Sequence, residues 1–140
     1  MALKSGRAKP LCRLLVFKLN GTARLPPKPD IPLGPLNPPP LTATPAQLAE
    51  GGALYGHYCG LCHGGGGVSG GTTPDLRYTP LLASDGFFDV VLGGQRKAQG
   101  MISFAPVLSH DQAAEIRSYL IQKAHETKDA QAKGQDLSAG

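Results

Sequence analysis

The sequence has no tryptophan, only two methionines and three cysteines, and an aromatic content of 6% across its 140 residues. Each scarcity excludes something. Three cysteines, with Cys59 and Cys62 only three positions apart, cannot build the disulfide framework of a small secreted domain. Long apolar runs are missing too. The longest near the start, Leu14-Leu15-Val16-Phe17, is bracketed by Arg13 and Lys18. It falls far short of a membrane span or a signal-peptide core, so no membrane span is expected and no export signal is visible. Acid is absent from residues 1–28, which hold seven of the fourteen basic residues and leave seven basic against ten acidic residues in the remainder. The net charge of +4 therefore comes from a basic leader, and the part expected to fold is mildly acidic. With no platform of interleaved basic and aromatic residues, nucleic acid is not an expected partner.

Glycine and proline are abundant, but in different places. Nine of thirteen prolines lie between Pro26 and Pro45, and ten of nineteen glycines lie between Gly51 and Gly71. Residues 1–24 form a leader in which Arg13-Leu14-Leu15-Val16-Phe17-Lys18-Leu19, closed by the turn pair Asn20-Gly21, reads as one lone strand. A lone strand can neither pair its edges nor bury its faces, so it belongs to a larger sheet or stays unstructured. Residues 25–43 read as an extended, proline-rich linker, because proline removes amide donors and fixes φ.

Residues 44–126 carry the signals of an all-α domain. Thr44-Pro45-Ala46-Gln47 opens a helix with a capping box and proline at its first position, and the helix should run to about Tyr58. Glycines 51, 52 and 56 inside it suggest either close packing on that face or a weak helix that frays. A short helix is expected after Ser84 as N-cap, stopping at Gly93-Gly94. Ser109-His110-Asp111-Gln112 is a second capping box, followed by Ile116, Tyr119, Leu120 and Ala124 at helical steps, with an end expected near His125. Residues 127–140, rich in Ala, Gln, Gly and charge, read as a flexible tail. Three modest helices and glycine-rich loops bury little apolar surface, so the core needs another contributor.

Cys59-Gly60-Leu61-Cys62-His63 supplies a reason to expect one. The pattern C-x-x-C-H is that of c-type haem attachment. Two thiols a turn apart can each add across one vinyl group on an edge of the porphyrin, while the adjacent imidazole ligates the iron. One covalent haem buried between helices would remove hundreds of Å² from water, worth on the order of 10 kcal/mol. A thioredoxin-type dithiol wants its pair at a helix start after a strand, whereas this one follows a helix. Zinc would want a second pair of ligands, and no second Cys pair exists.

The sixth position of the iron has one methionine candidate besides Met1, namely Met101 in the loop Gly100-Met101-Ile102-Ser103-Phe104-Ala105-Pro106; its alternative role is core filler. His57 lies on the attaching helix and cannot reach the opposite face, while His110 and His125 stand at the two ends of the last helix. Among supporting residues, the Pro74 carbonyl could accept from the ligating imidazole. Arg77 and Tyr78 could bond haem propionates, or be an ordinary surface arginine and half-buried tyrosine. Gly64 to Gly67 could let backbone skirt the ring edge or be a floppy loop.

On these residues, 44–126 resembles the class I cytochrome c domains, three main helices around a covalent haem. Pro74-Asp75-Leu76-Arg77-Tyr78, Val91-Leu92-Gly93-Gly94, the Met101 loop and Glu115-Ile116-Arg117-Ser118-Tyr119-Leu120-Ile121 resemble the C-terminal haem domain of the soluble quinohaemoprotein alcohol dehydrogenases. Residues 13–19 similarly look like the last strand of their β-propeller, and the proline segment like their interdomain tether. The resemblance implies a heme c held by His63 and Met101. It also implies electron transfer from a quinoprotein dehydrogenase domain to a small redox protein or quinone-linked acceptor, and a periplasmic setting. The chain has no room for a propeller, so pyrroloquinoline quinone, calcium and alcohol-oxidising catalysis are not expected on it. The alternative is the C-terminal part of such a dehydrogenase, active only with a separate propeller.

Overall fold

The computed structural model describes residues 16–24, 34–69 and 73–134. Its main elements are α1 (Pro45–Tyr58), α2 (Gly60–His63), α3 (Gly86–Val91) and α4 (His110–Ala132), joined by 3₁₀ turns at Gly65–Gly67, Leu76–Tyr78, Pro80–Ala83 and Lys97–Gln99. No strand forms among the described residues.

The two long helices begin where local chemistry starts them. Thr44 Oγ1 accepts from the Gln47 amide while Gln47 Oε1 accepts from the Thr44 amide, and Ser109 and Gln112 repeat the arrangement on α4. α1 then crosses α4 at very close range. A Cβ added to Gly51 would sit 2.1 Å from the Glu115 carbonyl oxygen, and one on Gly52 would lie 3.2 Å from the Tyr119 ring. These two glycines are thus the contact that lets the backbones meet, whereas Gly56 has nothing within 4 Å and plays no such part. On the crossing, Tyr55, Ile116 and Leu120 are the largest fully buried side chains, and Phe87, Val91 and Leu108 extend the core toward α3 and the loop before α4.

The elements depart from the sequence reading in three places. α4 does not stop near His125 but continues to Ala132, because its inward stripe continues through Ala124, Thr127 and Ala130, all buried. The 127–140 segment is therefore helix over its first six residues, and 135–140 lie outside the described residues. The linker is not free over its last ten residues either: Leu36 is 6% exposed and belongs to the core. α3 takes Asp85 at the N-cap without a side-chain bond, since Ser84 closes the preceding 3₁₀ turn instead. Val16, Phe17 and Leu19 are exposed and in no strand among the described residues, one of the two outcomes left open for the lone strand, and the expected turn forms with the Gly21 amide donating to the Lys18 carbonyl. Residues 13–15 of the expected strand, and Cys12, lie outside the described residues. Without a neighbouring strand the ladder has no partner.

Candidate haem-attachment site

The C-x-x-C-H pentapeptide straddles the junction of α1 and α2. Cys59 caps the end of α1 with its amide on the Tyr55 carbonyl, and α2 holds Cys62 and His63. Cys59 is half-buried and Cys62 exposed, both free thiols. Burial, with Cys62 adding a smaller push, raises the Cys59 thiol to about 11. That direction is opposite to the one a dithiol exchange centre needs, since such centres hold a low-pKa thiolate.

His63 is depressed below its ordinary pKa by burial, an effect the Pro74 carbonyl partly offsets. That carbonyl is close enough to act on the ring but does not complete a hydrogen bond, so Nδ1 is buried without a partner. A ligating imidazole uses a nearby backbone carbonyl to set its tautomer, so that Nδ1 keeps its proton and Nε2 presents its lone pair; the buried Nδ1 of His63 and the neighbouring Pro74 carbonyl fit such a role. The Pro74 carbonyl thus lies near enough to the His63 ring to act on it.

The backbone around His63 is locked by groups that sequence reasoning missed. The Tyr55 hydroxyl donates to the Gly64 carbonyl at 2.7 Å, and the Thr73 hydroxyl donates to the Cys62 carbonyl at 2.9 Å. Burial pushes Tyr55 up to about 12, which keeps its phenol a donor. Its four-residue step from Gly51, on the same helix face, was the available sign that Tyr55 points inward. Glycine is required at the exit: Gly64 has φ 74°, and a Cβ there would lie 2.1 Å from the Val68 carbonyl oxygen. The Gly64 to Gly67 segment is accordingly a built turn.

Met101 is half-buried and packs against the same core as Cys59, Tyr58 and Phe104. Its loop is fastened from both sides. The Met101 amide donates to the Arg96 carbonyl at 3.2 Å, the Phe104 amide to Val91 at 2.9 Å, and the Ser103 hydroxyl to the Leu92 carbonyl. The Tyr58 and Phe104 rings, 6.2 Å apart edge to face, connect the attachment helix with this loop. Large apolar side chains remain exposed beside both candidate ligands: Leu61, between the two cysteines, at 98%, and Ile102, next to Met101, at 61%. Two thiols, a histidine with an orphaned inner nitrogen, a thioether and uncovered apolar neighbours fit a covalently attached haem with His/Met ligation. Among the described residues, no three His, Cys, Asp or Glu side chains gather as a metal cluster.

Arg77 and Tyr78 both have protein partners. Arg77, 5% exposed, pairs with Asp75 at 2.7 Å and donates to Thr127 Oγ1 at 3.1 Å, while the Tyr78 hydroxyl accepts from Gln131 at 2.7 Å. These contacts tie the Leu76–Tyr78 turn to the far end of α4. Of the other histidines, His57 packs edge-on against Tyr58, His110 stacks on Phe88 and His125 bonds the Pro39 carbonyl.

The family model described as cytochrome c oxidase, cbb3-type, subunit III, matches residues 46–120. The chain is 41% identical over 115 residues to quinohemoprotein alcohol dehydrogenase ADH IIB of Pseudomonas putida, covering 81% of this chain and 17% of that protein. It is 33% identical over 129 residues to the dehydrogenase subunit of the alcohol dehydrogenase (quinone) of Gluconobacter oxydans, covering 91% of this chain and 17% of that protein. The solved structure of quinohemoprotein alcohol dehydrogenase ADH IIG from P. putida superposes with a TM-score of 0.62 at 40% identity, covering 80% of this chain and 16% of that one. The chain thus spans about a sixth of the length of these relatives. No helix among the described residues is long and apolar enough to cross a membrane.

Proposed function

We propose, from the premise that this chain belongs to the cytochrome c family described as cbb3-type cytochrome c oxidase subunit III, that it is a one-electron carrier. Cys59 and Cys62 would hold one heme c covalently, with His63 and Met101 as the iron's ligands. The observation that carries this reading is the buried, unpartnered Nδ1 of His63 inside the C-x-x-C-H motif. The haem, when bound, supplies an iron that gains and loses one electron.

The chain's own residues do the rest. Cys59 and Cys62 hold the group by two thioether bonds, so it is not lost in either oxidation state. His63, fixed through its neighbours by Tyr55 and Thr73, offers Nε2 while Nδ1 keeps its proton toward Pro74. Met101, on a loop fastened to Val91, Leu92 and Arg96, offers a thioether. Thioether ligation and apolar burial both favour the reduced iron and raise its potential. With both His63 and Met101 given over to holding the iron, these residues would leave no open ligand position for substrate, which favours a carrier over a catalyst. Its donor is a quinoprotein dehydrogenase centre, its acceptor a small redox protein or a quinone-linked carrier, and its setting the periplasm, where c-type haem is attached. Similarity to quinohemoprotein and quinone-type alcohol dehydrogenases supports these partners.

The test is a visible spectrum of the purified protein, oxidised and reduced, made in a host that matures c-type cytochromes. The expected product is coloured, keeps its haem in acidified organic solvent, and shows a low-spin ferrous spectrum. Met101→Ala should give a high-spin form that binds carbon monoxide when reduced. A compact, colourless product would end the proposal, and an unchanged spectrum in Met101→Ala would end the role of Met101.

A further inference from the structure

The proline-rich stretch before α1 carries a feature that electron transfer alone does not require. Residues 34–43 contain four prolines, at 35, 38, 39 and 40, which favour a stiff, extended polyproline geometry with three residues per turn. In that geometry Leu36 and Pro39 share a face, and the structure turns both toward the domain. Leu36 enters the core at 6% exposure, while the Pro39 carbonyl oxygen lies 2.8 Å from His125 Nε2, 86 residues away on α4. A carbonyl can only accept, so His125 holds its proton on Nε2 and donates. Residues 35–39 face Arg77, Tyr78, Thr79 and Leu82 across a narrow cleft. Gly34, Asn37 and Pro40, by contrast, are exposed.

A single contact on a stiff segment leaves it free to swing. Two contacts about 9 Å apart, at roughly 3.1 Å per polyproline residue, fix its direction. We propose that residues 34–43 are a docked strap, and that His125 is a positioning residue. Its bond to Pro39, with Leu36 as second anchor, sets the direction from which the preceding chain, and any module it carries, meets the haem domain. The significance for electron delivery rests on the carrier function proposed above; the clasp itself does not. A donor held on a fixed bearing reaches the haem by one path instead of by diffusion of a loose tether, which is the advantage of preorganisation.

The test uses the full haem-loaded chain, reduced, and reads amide order parameters by ¹⁵N relaxation at Leu36, Asn37 and Leu41. Residual dipolar couplings report whether these amides share one alignment with α4. The unmutated strap should give values of about 0.8 or more and a single alignment with α4. His125→Leu should lower them below about 0.6 and break the shared alignment, with the visible spectrum unchanged. His125→Gln, which keeps an N–H donor of similar reach, should restore both. Low order parameters in the unmutated strap would overturn the proposal with no variant needed. So would a His125→Leu strap as ordered and aligned as the original. A missing haem spectrum would instead count against the carrier function, and the strap would still be read from its own amides.

Discussion

Replacing Gly51 by alanine tests the crossing that holds the attachment helix in place. The added Cβ would meet the Glu115 carbonyl oxygen at 2.1 Å, against about 3.4 Å for ordinary contact, so α1 and α4 must separate by more than 1 Å or tilt. The obstacle is main chain inside a regular helix and cannot rotate away as a side chain could. Overpacking of this kind costs about 1–3 kcal/mol, and the rigid obstacle argues for the upper end. Alanine's better helix propensity returns up to about 1 kcal/mol, for a net loss of about 2 kcal/mol. In a domain of this size that lowers the melting temperature by about 10 °C. Gly56→Ala isolates the propensity effect, since nothing lies within 4 Å of its added Cβ, and should raise the melting temperature by about 5 °C. Thermal unfolding of both variants with haem attached, followed by far-ultraviolet circular dichroism, makes the comparison. A Gly51→Ala protein melting at or above the parent would refute the close approach of α1 to α4, and with it the reason for glycine in this helix.

Two further perturbations address the supports of the site. Tyr55 ionises near 10 when unfolded but only near 12 when folded, so the unfolded chain loses its proton first and stability falls as pH rises from 10 toward 12. The loss should be on the order of 2 kcal/mol, measured as a drop in the urea midpoint. Tyr55→Phe should lose about 1 kcal/mol at neutral pH, from the missing bond to Gly64, and should flatten the alkaline decline; a decline as steep as the parent's would assign it to other groups. Asp75→Ala should cost about 3 kcal/mol by urea titration, because it leaves the Arg77 guanidinium, whose side chain is 4% exposed, without its carboxylate. Arg77→Met, which removes the charge together with its need for a partner, should cost less, and an equal or greater loss would show that the ion pair is not what the site depends on.

What was legible in the sequence was whatever is decided within a few residues. The Thr44 and Ser109 capping boxes and the turn at Asn20-Gly21 each carry their geometry in neighbouring positions, and the structure places them accordingly; the C-x-x-C-H pentapeptide is equally local and sits at the end of α1. The glycines of α1 were legible as a question, answered for 51 and 52 by close packing and for 56 by open space. The end of α4 was hidden by an ambiguity of composition. Ala, Gln, Lys and Glu fill flexible tails, yet they are also strong helix formers, and only a tertiary partner chooses between the two. Thr127 meeting Arg77 and Gln131 meeting Tyr78 make that choice, over separations of 50 and 53 residues.

The strap poses the same problem from the other end of the domain. Proline density says stiff and extended, and it is silent on whether the stiff piece is docked, because docking depends on one leucine entering the core and one carbonyl finding α4. The Pro39 contact is made to the helix that runs past its expected end: His125, where the sequence places the stop, is the residue that holds Pro39. Had α4 ended there, His125 would have stood in a fraying last turn, a poor anchor for a rigid arm. The seven further residues, held by Thr127 and Gln131, place it in the interior of a continuous helix. The extension of α4 and the proposed docking of the strap are therefore linked through His125. A variant that frays the end of α4, such as Thr127→Gly, should loosen Leu36 and Asn37 as well as Arg77, while a Thr127→Gly protein with an ordered strap would separate the two.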